Sequence, residues 1–213
     1  MAKGRFISLE GGEGAGKSTQ ARLLADRLRA GGREVVLTRE PGGSPGAEAI
    51  RALLVEGAAD RWSAISETLL MYAARRDHIE RLIAPALERG TWVISDRFFD
   101  STRAYQGAGG GAPAALIGVL EREVVGAVTP DLTLILDMPV EAGLARAAGR
   151  AGGEGRFESK GLDFHERLRA AFLDIARREP ERCAVLSAEG DLEAVAARIW
   201  DVVAARLGDG ILG

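Results

Sequence analysis

One short segment near the start of the chain carries residue types that hold phosphate groups. Gly11, Gly16, Lys17 and Ser18 stand at the spacing G-x-x-x-x-G-K-S, directly after the apolar run 6–9. Glycines let a backbone turn tightly so that its N–H groups converge on phosphate oxygens, a lysine adds positive charge, and a serine hydroxyl binds Mg²⁺. The pattern predicts a loop that binds a nucleoside triphosphate, with a purely structural glycine-rich turn as the alternative. The residues expected around that triphosphate are Gly11, Gly12, Glu13, Gly14, Ala15, Gly16, Lys17, Ser18 and Thr19.

Short apolar runs alternate with longer helical patterns along the chain. The predicted strands are 6–10, 34–38, 91–95, 132–137 and 183–187. The predicted helices are 17–30, 46–55, 63–89, 113–127, 139–149, 161–178 and 191–207, with glycine-rich loops at 107–113 and 149–155. This alternation predicts an α/β fold in which a five-stranded parallel sheet has helices on both faces.

Ligands of such sheets collect at the carboxyl ends of the strands. The residues that follow the predicted strands are therefore expected in one cleft: Glu13, Arg39, Asp96, Arg97 and Asp137.

Length and composition limit the class of protein. The 213 residues suit a single domain over 1–213, with a lid segment near 147–160. A net charge of −3 gives no overall basic field for nucleic acid, and no stretch approaches the roughly 18 apolar residues of a membrane span. Cys183 is the single cysteine, which excludes an internal disulfide and predicts a cytoplasmic protein. The sequence contains no Asn and so lacks the N-K-x-D motif with which regulatory GTPases read guanine.

Three further segments complete a recognisable pattern. T-R-E-P-G-G stands at 38–43, D-R-F at 96–98 and S-T-R-A-Y-Q-G at 101–107. Together with the phosphate loop, they resemble the bacterial thymidylate kinase family, whose members carry these motifs in the same order. The resemblance covers essentially the whole length. It implies a P-loop kinase fold and transfer of the γ-phosphoryl group of MgATP to dTMP, which gives dTDP.

Arginines are the expected ligands of the acceptor phosphate. Arg97 stands at a strand end facing the cleft, where the fork of a guanidinium can hold a monophosphate dianion. The resemblance implies this role for Arg97 and Arg51, with Arg39 as a further candidate. The alternative for each is a surface arginine paired with a neighbouring carboxylate.

The predicted helix at 63–89 is expected to read the base. Met71 and Arg75 lie four residues apart and share one face. By resemblance Arg75 donates to a thymine carbonyl. The family usually has Phe four residues before this arginine, so either Met71 or Tyr72 is expected to stack on the ring. The remaining residues implied for the nucleoside pocket are Ser101, Thr102, Tyr105 and Gln106, with Tyr105 against the deoxyribose and either Thr102 or Gln106 bonded to the base.

The expected catalytic set surrounds the transferring phosphoryl group. Asp96 ends an apolar strand and is expected to hold Mg²⁺ together with Ser18, a strand-end cap being the alternative. By resemblance Glu13 contacts the acceptor sugar or the metal, and the lid arginines Arg150 and Arg156 close over the ATP phosphates. The implied catalytic residues are Lys17, Arg97, Arg150, Arg156 and Glu13. Members of the family are typically homodimers, so the implied partners are ATP, dTMP and a second copy, with neither nucleic acid nor membrane.

Two other interpretations remain at this point. Another nucleoside or nucleotide kinase of the same fold would share the phosphate loop, although the paired arginines favour a monophosphate acceptor. A regulatory P-loop ATPase would hydrolyse the triphosphate without any acceptor.

Overall fold

The computed structural model describes residues 4–58, 60–149 and 160–208. One parallel sheet contains the strands β1 (Phe6–Glu10), β2 (Val35–Arg39), β3 (Trp92–Asp96), β4 (Leu132–Asp137) and β5 (Cys183–Ser187). Their order across the sheet is β2-β3-β1-β4-β5. The central strands are almost wholly buried, as expected where helices cover both faces of a parallel sheet.

Helices connect these strands. They are α1 (Lys17–Ala30), α2 (Pro45–Val55), α3 (Ala64–His78), α4 (Ala84–Glu88), α5 (Phe99–Thr102), α6 (Ala114–Leu120), α7 (Val140–Ala148), α8 (Leu162–Arg178) and α9 (Leu192–Leu207). The π-helical segments Ile79–Ile83, Arg103–Gly109 and Glu121–Val125 continue α3, α5 and α6. In the part of the chain that the structure describes, no helix is long and apolar enough to cross a bilayer.

Alternate residues of the central strands pack against different helices. On one face, Ile7 and Leu9 share a hydrophobic cluster with side chains of α1 and α9. On the other, Phe6 and Val93 pack with α3 and α4, and Ile135 packs with α8. The predicted fold class, a five-stranded parallel sheet between two helical layers, is confirmed.

The predicted bounds differ from the structure mainly at 99–109. The sequence predicts a loop from residue 107, whereas Arg103–Gly109 is π-helical. The prediction was wrong because tertiary packing, not glycine content, decides this end: a Cβ on Gly109 would lie 2.6 Å from the Phe164 ring of α8. The close approach of α8 therefore requires glycine at the end of a helix.

The topology places two loops side by side. β1 lies between β3 and β4, and Leu9 is in register with Asp96. The loop after β1 and the turn after β3 consequently leave the sheet next to each other, which is the geometry that brings the phosphate loop to Arg97. Residues 150–159 of the predicted lid lie outside the described part of the chain.

Candidate active site

Three glycines of the phosphate loop have backbone conformations that other residues adopt only with strain. Gly11, Gly14 and Gly16 have φ values of 134°, 72° and 84°. A Cβ on Gly14 would lie 1.9 Å from the carbonyl oxygen of Gly143, so the loop packs directly on α7. This conformation and this contact fix the backbone whose N–H groups are expected to meet phosphate.

Lys17 begins α1 and folds back over this loop. Its Nζ donates to the carbonyl oxygen of Gly12 at 2.6 Å, and the side chain is nearly buried. Burial lowers the pKa of Lys17 to about 8, with the neighbouring Arg97 acting in the same direction. An anion at the loop would stabilise the ammonium form.

Arg97 lies between the phosphate loop and the residues expected to bind the acceptor nucleotide. Its backbone φ is 70°, an unusual value for a residue other than glycine and one that recurs at functional sites. The guanidinium donates to the carbonyl oxygen of Gly11 at 3.2 Å and to Glu13 Oε1 at 3.0 Å. The same two nitrogens also donate to Ser101 Oγ at 3.1 Å and to Tyr105 Oη at 2.9 Å. One side chain thus touches both predicted halves of the site.

Glu13 is held ionised inside the loop. Its Oε1 accepts from Arg97 and, at 2.7 Å, from the Tyr105 hydroxyl. Burial acts to raise the pKa of Glu13, but Arg97 and Lys17 outweigh it and hold the pKa at about 2. Glu13 therefore supplies the negative charge that Arg97 binds in this state.

Sequence reasoning missed Glu10, the fully buried last residue of β1. Its carboxyl accepts from the Phe98 N–H at 2.7 Å and from the Ser101 hydroxyl at 2.5 Å. Burial raises the pKa of Glu10 to about 8, and Asp100 adds to the rise. These bonds tie the turn after Arg97 to the end of β1, and the signal in the sequence was a carboxylate closing an apolar strand.

A cavity of about 460 Å³ that opens to solvent lies on the acceptor side of Arg97. Its walls combine all three motifs that follow the phosphate loop, T-R-E-P-G-G, D-R-F and S-T-R-A-Y-Q-G, with α3. The lining residues are Glu13, Glu40, Pro41, Val55, Met71, Arg75, Arg97, Phe98, Ser101, Thr102, Tyr105 and Gln106. The structure thus brings together seven of the ten residues expected for the acceptor nucleotide.

Met71 and Tyr72 take different places. Met71 lines the cavity. Tyr72 is buried in the hydrophobic core with Phe6 and Phe98, and the Arg75 guanidinium lies 4.8 Å from its ring centroid. Of the two, Met71 is therefore the side chain that lines the cavity.

Arg75 is fixed by a chain of buried polar groups. Its Nε donates to Glu40 Oε2 at 2.7 Å and its Nη2 to Thr102 Oγ1 at 3.1 Å. The other oxygen of Glu40 lies 3.0 Å from His78 Nδ1, and His78 Nε2 lies 2.8 Å from Thr38 Oγ1. Among the described residues, the buried Nη1 of Arg75 has no hydrogen-bond partner. Glu40 and Thr102 thus hold the Arg75 guanidinium in place, and His78 has a structural role.

Arg39 and Arg51 lie outside the cavity walls. Arg39 is half exposed and donates to both carboxylate oxygens of Glu48 at 3.1 Å. Arg51 Nη1 donates to the carbonyl oxygen of Pro41 at 2.7 Å, and Pro41 does line the cavity. The ion pair of Arg39 matches the alternative given for it above, and the phosphate-binding roles of both arginines stay predictions.

Ser18 and Asp96 meet beside the phosphate loop. The Ser18 hydroxyl donates to Asp96 Oδ2. Asp96 Oδ1 is buried and has no hydrogen-bond partner within the described ranges. A hydroxyl and a carboxylate are the hard oxygen ligands that Mg²⁺ takes. The described residues contain no cluster of three or more His, Cys, Asp or Glu side chains fit for a metal.

The single cleft expected from the sheet is divided at Glu13. A second cavity of about 410 Å³ is bordered by Gly11, Gly12 and Glu13 on one side and by Asp137 on the other. Asp137 pairs with Arg169 through two hydrogen bonds of 2.7 and 3.0 Å. The predicted lid arginines Arg150 and Arg156 lie outside the described residues.

Comparisons with known proteins agree on one family. The family model for thymidylate kinase matches residues 9–199. The chain is 69% identical over 208 residues to a thymidylate kinase of Caulobacter vibrioides, covering 98% of this chain and 100% of that protein. It is 54% identical over 207 residues to one of Bradyrhizobium sp., with 96% and 92% covered. Among solved structures, the thymidylate kinase of Ehrlichia chaffeensis matches with a TM-score of 0.78 at 36% identity, covering 94% and 99% of the two chains.

Proposed function

The chain belongs to the thymidylate kinase family, a family of ATP:dTMP phosphotransferases, and we propose that Arg97 joins the two halves of its site. The observation that carries the proposal is the position of this guanidinium. It contacts Gly11 and Glu13 of the phosphate loop and also Ser101 and Tyr105 of the acceptor cavity. A cation in that position contacts both nucleotides, one on each side of the transferred phosphoryl group.

On the donor side, residues 11–19 bind the phosphates of ATP. The glycine conformations and the Gly14–Gly143 packing support this role, because they fix the loop before any ligand arrives. Lys17 exchanges its Gly12 carbonyl for phosphate oxygens and neutralises the charge that develops on the transferring group.

On the acceptor side, the cavity holds dTMP. Arg97 binds its phosphate, and Arg75 donates from Nη1 to a thymine carbonyl. Met71 packs its thioether on the ring, and Tyr105 lies against the deoxyribose. The remaining proposed contacts come from Ser101, Thr102 and Gln106, with Arg39 and Arg51 as secondary phosphate ligands and Tyr72 as a core support for Arg75.

The transfer requires little proton chemistry. An ionised oxygen of the dTMP phosphate forms a bond to the γ-phosphorus while the bond from that phosphorus to the bridging oxygen of ADP breaks. Because this acceptor oxygen already carries charge at pH 7, no general base is needed. Positioning and charge neutralisation by Lys17 and Arg97 accelerate the step, and we assign a share to Arg150 and Arg156 of the lid.

The residues present also fit Mg²⁺. Ser18 and Asp96 would hold the ion, since Asp96 offers a buried oxygen that has no other partner in the described part of the chain. When bound, Mg²⁺ supplies positive charge to the ATP phosphates. We assign Glu13 to the sugar hydroxyl of dTMP or to the metal, once the acceptor phosphate has taken Arg97 from it.

A homodimer in the cytoplasm is the remaining part of the proposal. The homodimer rests on the resemblance to the family. The cytoplasmic location rests on Cys183, which is free and buried. Exposed Ile65 and Leu69 on α3 are compatible with a contact between copies. Sedimentation of the purified protein tests the dimer, and a monomer at micromolar concentration contradicts it.

An acceptor screen tests the whole proposal. ADP release is measured with ATP and each of dTMP, dUMP, dCMP, GMP and thymidine. We expect dTMP to be best and dUMP to be poorer by about 10–200-fold, because one methyl group contributes about 1–3 kcal/mol. Activity with thymidine alone, or phosphate release from ATP that dTMP leaves unchanged, would contradict the proposal.

A further inference from the structure

Glu67 is a buried carboxylate that no proposed catalytic or binding role uses. It lies on α3, eight residues before Arg75, and its Oε1 accepts from Gln106 Nε2 at 2.9 Å. Both side chains are buried, and Gln106 lines the acceptor cavity. The contact therefore joins the helix that carries Arg75 to the π-helical segment opposite it.

The chemistry of this contact fixes which end of the Gln106 amide faces the ligand. A carboxylate offers only acceptors, so the NH₂ end of the amide must turn towards Glu67. The carbonyl Oε1 is then the end left to present to the cavity. Without a charged partner, the two orientations of a glutamine amide are nearly alike in shape.

Arg75 supplies the complementary group nearby. Its Nη2 donates to Thr102, which precedes Gln106 by four residues and so lies about one helical turn away. Its Nη1 has no partner among the described residues. Arg75 and Gln106 both line the cavity, so its wall combines the guanidinium of Arg75 with the carbonyl oxygen inferred for Gln106.

We propose that Glu67 is a positioning residue that sets the pyrimidine specificity of the site by orienting the Gln106 amide. A donor beside an acceptor matches a base edge with a carbonyl next to a ring N–H, as in thymine and uracil. Cytosine presents the reverse pattern, an amino group next to an unprotonated nitrogen. Its binding would place donor against donor, which leaves buried polar groups unpaired. This inference rests on the proposed function.

The test compares dUMP with dCMP, which both lack the methyl group and differ at the edge in question. In wild type, kcat/KM for dUMP should exceed that for dCMP by at least about 100-fold. Glu67→Gln keeps the size of the side chain but removes its charge, so the Gln106 amide turns more freely. The ratio should fall by about tenfold or more, mainly through the KM values.

Two further variants isolate the path through Gln106. Glu80→Gln removes an exposed carboxylate that follows α3 and pairs with Arg76, so it should leave the ratio unchanged. Gln106→Met removes the amide but keeps a side chain of similar length, and it should itself lower the ratio of kcat/KM for dUMP to that for dCMP. Adding Glu67→Gln to Gln106→Met should then change the ratio less than twofold, because the residue through which Glu67 acts is gone.

A role confined to structure predicts a different result. It would lower the melting temperature of Glu67→Gln and reduce turnover of dUMP and dCMP equally. An unchanged dUMP/dCMP ratio in Glu67→Gln, or full additivity in the double variant, overturns the inference. If Glu67→Gln does not fold, a wild-type ratio in Gln106→Met overturns it as well. Failure of the proposed function is separate, because it would appear in wild type as no turnover of dTMP.

Discussion

The phosphate loop and the acceptor cavity are held in position by different kinds of contact. In the loop, backbone conformation provides it: glycines at positive φ and the close contact of Gly14 with Gly143 hold the chain in place. In the cavity, buried carboxylates hold side chains of the wall in place. Glu40 fixes Arg75 and Glu67 fixes Gln106. The phosphate loop, which binds through its backbone, thus depends on residue types within one segment. The acceptor cavity, which binds through side chains, depends on partners that are distant in sequence.

Glu13 belongs to both regions. It lies in the phosphate loop and borders both cavities, and its carboxylate pairs with Arg97. In the proposed site, the acceptor phosphate replaces Glu13 as the anion on Arg97. The largest effects should therefore come from residues at this boundary.

Removal of the Arg97 side chain should have the largest effect. We expect Arg97→Ala to lower kcat/KM for dTMP by about 10³-fold or more, because both the acceptor phosphate and the transferring group lose a cation. Initial-rate kinetics and calorimetric titration with dTMP and ATP measure it. ATP affinity should change little. Arg81→Ala, at an exposed arginine, is the control, and unchanged dTMP affinity in Arg97→Ala would remove Arg97 from the acceptor site.

A matched pair of glycine variants tests the loop. Gly14→Ala places a Cβ 1.9 Å from the Gly143 carbonyl oxygen at a φ of 72°. The free energy of unfolding should therefore fall by about 3 kcal/mol. Gly12→Ala meets nothing within 4 Å among the described residues and should cost less than about 1 kcal/mol. Thermal and urea denaturation measure both. Equal destabilisation of the two variants would contradict the backbone account of the loop.

The pH dependence of stability tests the buried carboxyl of Glu10. Its pKa in the folded protein is raised to about 8 by burial and Asp100, against an ordinary 4.5. The folded state therefore binds the proton more tightly than the unfolded state does. The resulting contribution to the free energy of unfolding is complete below about pH 4.5 and is lost as the pH rises through 8. Between pH 5 and 8, we expect the free energy of unfolding of wild type to fall by on the order of 2–4 kcal/mol relative to that of Glu10→Gln. Urea denaturation of both proteins across this range measures the difference, and a difference that stays constant contradicts the burial argument.

The smallest effect should come from Arg39. Its side chain is 54% exposed and pairs with Glu48, which is 41% exposed, so Arg39→Ala should destabilise the fold by less than about 1 kcal/mol. As a secondary phosphate ligand, Arg39 should change KM for dTMP by less than about tenfold. Steady-state kinetics distinguish it from Arg97, and a loss as large as that of Arg97→Ala would make it a primary ligand.

The sequence predicted the sheet well and the orientation of site residues less well. The bounds of β1, β4 and β5 matched, because buried parallel strands form continuous apolar runs between helical patterns. The helix at 99–109 was missed: residues 99–106 were assigned to no element, and the glycines from 107 suggested a loop. Its packing on α8 involves residues far along the chain.

Within the site, contiguous motifs identified most of the cavity wall but not what holds it. Periodicity placed Met71 and Arg75 on one face of a helix, yet it left Met71 and Tyr72 undecided, because adjacent residues differ by about 100° in direction and the sequence alone does not orient the helix. Glu10 and Glu67 belong to none of the motifs, and Glu40 stands in T-R-E-P-G-G without any sign of its contact with Arg75. Their function depends on which distant groups fold against them.

A crystal structure with dTMP tests the central claim most directly. We expect the phosphate oxygens within hydrogen-bond distance of the Arg97 guanidinium, with Glu13 displaced from it, and a thymine carbonyl on Arg75 Nη1. A phosphate held by Arg39 and Arg51 alone, with Arg97 still bound to Glu13, would contradict the claim that Arg97 joins the two halves of the site.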